Sequence, residues 1–115
     1  MARIRIKRAY EAPMASDGVR VLVDRLWPRG LARDAARIDH WLKDVAPSSD
    51  LRKWFGHDPE RWQEFRKRYR AELKADTEAV AELRALAKGA KTLTLVFAAK
   101  DEAHNNAVVL KELLD

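Results

Sequence analysis

None of the 115 residues is a cysteine. That removes disulfides as staples and every reaction that needs a thiol, and it leaves the compartment open. Long apolar runs are missing as well: no stretch approaches the roughly 18 residues needed to cross a membrane. The opening Arg3-Ile4-Arg5-Ile6-Lys7 reads as neither a signal nor a transit peptide, so a cytoplasmic, non-membrane protein is expected. Histidines are few, at 40, 57 and 104, and none makes the His-x-x-x-His spacing of a zinc helix. No metal site is assigned and no cofactor is named. Internal repeats and low-complexity segments are absent too.

What is present suits a single domain over 1–115, with 47% hydrophobic and 36% charged residues. This length builds a core without disulfide or metal staples. The formal charge of +5 favours acidic partners: phosphorylated metabolites, nucleotides or nucleic acid.

Alternating Ile4 and Ile6 mark a half-buried strand, and Val19 to Asp24 reads as a more central one. Residues 9–18 connect them, and Pro28 with Gly30 stops regular structure. Ile38, Trp41, Leu42 and Val45 fit one helical face, so periodicity favours a helix from Ile38 to Val45. Ser48 or Ser49 caps a short helix through Phe55, ended by Gly56. Asp58-Pro59-Glu60 starts another, with Trp62, Phe65, Tyr69 and Leu73 on one stripe, a break at Asp76-Thr77, and Gly89 at the end. Thr92 to Ala98 is a third strand, apolar on both faces, and Ala103 to Leu114 closes the chain as a helix. The expected fold is a small two- or three-layer α/β domain with a mainly parallel sheet and flanking helices.

Chemistry concentrates where two strands end. Ligands of parallel sheets sit beyond the carboxyl ends of the strands. The run Val21-Leu22-Val23 leads into Asp24-Arg25-Leu26-Trp27-Pro28-Arg29-Gly30, and Leu95-Val96-Phe97-Ala98-Ala99 leads into Lys100-Asp101-Glu102-Ala103-His104-Asn105. Parallel strands bring both exits to one cleft. Asp24 reads either as an acid or base or as the partner of a structural arginine. Arg25 and Arg29 suit an oxyanion as well as they suit an internal clamp on an acid. Trp27 is the ligand-facing candidate among four tryptophans that mostly pack. Asp101 is placed as the cap of the last helix, whose first-turn amides, with Lys100, favour an anion. His104 and His57 are candidate proton carriers. Gly30 and Asn105 complete the ligand-binding set. Arg66-Lys67-Arg68-Tyr69-Arg70 fans around a helix and reads as a solvated exterior with Tyr69 inward.

Four motifs carry a resemblance: Asp24 to Gly30, Ala46-Pro47-Ser48, Trp54-Phe55-Gly56-His57-Asp58-Pro59, and Ala98-Ala99-Lys100-Asp101 with His104-Asn105. In this order, over nearly the whole chain, they resemble the YeaO-like branch of the bacterial domain-of-unknown-function family numbered 488. The resemblance implies a small cytoplasmic α/β protein without an established activity. It also favours a strand, not a helix, near Ile38 to Val45. Longer members carry a cysteine near their last strand, and nothing of that chemistry transfers to a chain without one.

Two functions fit these residues. The first is a small enzyme acting on an anionic, phosphorylated or nucleotide-like metabolite, with Arg25, Arg29 and Lys100 on the anion, Asp24 as acid or base, and His104 or His57 assisting. The second is a non-catalytic binding or regulatory module using the same cleft, with nucleic acid among its ligands.

Overall fold

The computed structural model describes residues 2–115. Four strands, β1 (Arg3–Arg8), β2 (Val19–Leu22), β3 (His40–Trp41) and β4 (Thr92–Phe97), form one sheet in the order β1-β4-β2-β3. All three pairings are parallel. The helices are α1 (Arg33–Ala36), α2 (Ser49–Phe55), α3 (Trp62–Ala75), α4 (Thr77–Lys88) and α5 (Asn106–Leu114). The chain is thus an α/β domain with a parallel sheet, as its patterning indicates. No helix among the described residues is long and apolar enough to cross a membrane.

Register explains why the sheet has two unlike faces. Ile4, Leu93 and Val19 are aligned, as are Ile6, Leu95 and Val21, so these two rows make one face apolar. On it α3, α4 and α5 bury Phe65, Tyr69, Leu83, Val109 and Leu110. The other face carries Arg5, Thr94 and Arg20 in one row. Only a small cluster of Ala9, Leu22 and Val96, covered by Trp27, Leu31, Ile38 and Trp41, makes that side dry.

The buried members of the polar row, Arg20 and Thr94, are engaged. Asp17 is buried and meets Arg20 Nη1 at 2.7 Å and Lys7 Nζ at 3.1 Å. The Arg20 guanidinium also donates through Nε and Nη2 to the Ala36 carbonyl, at 3.2 and 2.9 Å. It thereby pins the segment that returns from the Asp24 motif. Gly18 lies between Asp17 and β2 with φ 64°, and a Cβ there would stand 2.2 Å from the Thr92 carbonyl oxygen. Only glycine fits.

The helix expected over Ile38 to Val45 is corrected to the two-residue β3 followed by a 3-10 turn at Lys43–Val45. The sheet edge takes this backbone: Asp39 N donates to Arg20 O at 2.9 Å and Leu42 N to Leu22 O at 3.0 Å. Eight residues ahead of a proline gain too little from an isolated helix to compete. The last helix is corrected as well, because it begins at Asn106 rather than Ala103 and its cap is Asn105 rather than Asp101. Asp101 Oδ1 instead accepts from Ala103 N and His104 N in a tight turn, at 2.9 and 3.1 Å. That turn delays the helix by three residues. The capping by Ser48, the Pro59 start and the break at Asp76 stand where the sequence places them.

Candidate functional site

Because β2 and β4 are parallel neighbours, their carboxyl ends lie side by side, and β1 ends there too. Beyond them opens a cleft of about 750 Å³. Its walls come from three strand exits (Tyr10, the run Asp24 to Arg29, and Ala98 to Asp101), from Ala46-Pro47, from Arg52, Phe55 and His57 around α2, and from His104 to Asn106. Phe55 and Phe65 are buried and stacked, with centroids 4.3 Å apart, and both line this space. Four cations, Arg25, Arg29, Arg52 and Lys100, face two carboxylates, Asp24 and Asp101, across it.

Asp24 is spoken for. Its Oδ2 accepts from the Ala98 amide at 2.9 Å and its Oδ1 from Asn106 Nδ2 at 3.1 Å. Its backbone carbonyl accepts from Trp41 Nε1 at 2.7 Å. Burial raises its pKa, against the opposing effects of those two hydrogen bonds and of the His57 and Arg52 charges. No ion pair among the described residues joins it to Arg25 or Arg29. The arginine clamp considered from sequence is therefore not what holds it.

Arg25 is partly buried. Its Nη2 reaches the Ala46 carbonyl at 3.4 Å, and its Nε is buried without a partner. Arg29 and Lys100 are exposed at the rim, with the Arg29 carbonyl accepting from the Tyr10 hydroxyl at 2.9 Å. Trp27 packs as well as lining the cleft: its Nε1 donates to the Leu31 carbonyl, it meets Trp41 edge-on at 5.5 Å, and Arg33 lies over its ring. Leu26, 64% exposed, adds an apolar lip.

His104 is turned toward Asp101, Nδ1 to Oδ2 at 2.9 Å, with its ring edge-on to Trp62. The hydrogen bond from His104, with the Ala103 amide, holds the Asp101 carboxyl below the ordinary range. His57 projects from a backbone with φ 58°, directly after Gly56 with φ 55°. A left-handed conformation outside glycine is uncommon and costs energy. Asn105 is buried, capping α5 through Val108 N and donating to the Asp101 carbonyl. Gly30, with φ 74°, stands outside the cleft and serves the Pro28–Leu31 turn. Among the described residues no group of three or more His, Cys, Asp or Glu is arranged to hold a metal ion.

Sequence reasoning missed Tyr10, Arg52, Phe55, Phe65 and Asn106 as parts of this space. Phe55 and Phe65 look like any other core aromatic in the pattern. Asn106 was the findable one, an amide in the polar run after β4.

The comparisons agree with the resemblance. An uncharacterized protein of Mycobacterium tuberculosis and one of Mycobacterium bovis are each 49% identical over 113 residues, covering 98% of this chain and 94% of the relative. The uncharacterized protein YeaO of Escherichia coli is 40% identical over 111 residues, covering 96% of both. No solved structure matches the chain. A family model described as the inactive DUF488-N3 subclade matches residues 3–115, and the chain belongs to that family.

Proposed function

We propose that this protein is a ligand-binding module that holds a small anionic molecule in the cleft beyond β2 and β4, without chemistry. The supporting observation is a cleft with a cationic excess whose best-placed acid is already engaged. Asp24 spends one oxygen on Ala98 and the other on Asn106, so it is built into the walls. His104 is likewise turned onto Asp101. Arg25, Arg29, Arg52 and Lys100 give the space a net positive field that concentrates anions. The volume falls within the roughly 300–1,000 Å³ range of small-molecule sites. The description of the family as inactive points the same way.

One observation favours the enzyme reading: burial raises the pKa of Asp24, the direction in which a carboxylic general acid or base is tuned. A melting screen of phosphorylated and carboxylated metabolites against their neutral analogues separates these readings from no site at all. Binding raises the melting temperature by mass action. Mass spectrometry of each stabilising compound after incubation then shows it unchanged for a binding module, and converted for an enzyme. Stabilisation by neutral analogues alone removes the anion site. Binding of nucleic acid with a steep salt dependence, and of no metabolite, replaces the small ligand with a polynucleotide.

A further inference from the structure

Resting on that reading, we infer that the cleft holds an oxyanion site centred on Arg25, made for the phosphate or carboxylate group of a small molecule. Other arginines of this fold show what a structural guanidinium looks like here. Arg20 places Nε and Nη2 on the Ala36 carbonyl and Nη1 on Asp17. Arg8 places Nε on the Ala99 carbonyl at 2.9 Å and Nη2 on the Ala98 carbonyl. Arg25 differs from both. Its Nε is buried with no acceptor, its one hydrogen bond is a long 3.4 Å, and it belongs to no ion pair among the described residues.

A guanidinium stays charged, so it cannot shed a proton to escape this arrangement. A buried donor without an acceptor is unfavourable, and the Asp24 oxygens are turned to Ala98 N and Asn106 Nδ2 instead. An oxyanion in the cleft supplies the missing counter-charge through the Nη end of the guanidinium fork, since Nε itself is closed to solvent. Arg29 and Lys100, exposed at the rim, attract the anion rather than seat it.

Calorimetric titration of the full chain with phenyl phosphate, benzoate and inorganic phosphate tests this, in the wild type and in Arg25→Lys, Arg25→Met and Arg29→Gln, with the melting temperature of each protein measured without ligand. The wild type should bind phenyl phosphate or benzoate saturably, and the tighter of the two names the end-group. Arg25→Lys keeps the charge but loses the fork, and should weaken that binding tenfold or more. Arg25→Met should abolish it while melting at or above the wild-type temperature, because it removes a charge the fold leaves uncompensated. Arg29→Gln should cost threefold or less. Equal losses at positions 25 and 29 would make Arg25 one attracting cation among several, and an Arg25→Met protein that melts several degrees lower would make it structural; either overturns this inference while leaving the cleft reading intact. A wild type that binds no anion removes both the inference and the function it rests on.

Discussion

Asn106 and Asp24 are tied side chain to side chain, with Asn106 Nδ2 donating to Asp24 Oδ1 at 3.1 Å and to the Val23 carbonyl at 2.9 Å. With the Ala98 amide on Oδ2, one carboxylate joins the exits of β2 and β4 to the start of α5. In Asp24→Asn an amide NH2 must face a donor on one side, whichever way it turns. The expected cost is about 1–3 kcal/mol, read by urea denaturation. A variant as stable as the wild type would show that the cleft walls do not depend on this carboxylate.

Two aspartates respond to pH in opposite directions. Burial pushes Asp24 above the ordinary 3.8, so the stability tied to its protonation is complete below that value and is lost as pH rises through the raised one. The deficit of Asp24→Asn should therefore be smaller at pH 7 than near pH 4. Equal deficits at both would place Asp24 at its ordinary value.

Burial alone would raise Asp17, but the Met14 amide, Lys7 and Arg20 outweigh it and hold the carboxyl below 3.8. Its contribution is present above the ordinary value and is lost as pH falls through the depressed one. Asp17→Asn leaves two cations without their acid, at a cost of roughly 3–5 kcal/mol at neutral pH. Denaturant titration at pH 7 and near pH 2.5 should show that loss shrinking in acid.

His57 keeps a left-handed backbone that glycine would adopt freely. His57→Gly should raise stability by up to about 1 kcal/mol, and it should alter ligand affinity if the imidazole faces the bound molecule. A variant that loses stability would mean the side chain is held by packing, and it would leave the cleft without a histidine role there.

The parallel strands and the shared end of the sheet were legible because β2 and β4 are short apolar runs that stop at charges. The correction at Ile38 to Val45 has a physical source: Trp41, Leu42 and Val45 have helical spacing, but unpaired groups on β2 capture the backbone of Asp39 and Leu42. Arg25 and Arg29 look alike in the chain, and only burial separates them. No pattern could announce that Asp24 is held by Ala98 and Asn106, more than seventy residues away.

The most direct test of the cleft follows the arginine Nε–H resonances of the full chain by NMR during titration with phenyl phosphate. The account predicts a saturable shift of the Arg25 Nε–H, accompanied by the backbone amides of Leu26, Trp27, Arg29, Gly30 and residues 98–101, with Arg20 unmoved. Shifts that grow without saturation, or that spread over Arg3, Arg5 and Arg33 while Arg25 stays still, would contradict an anion site at the ends of β2 and β4.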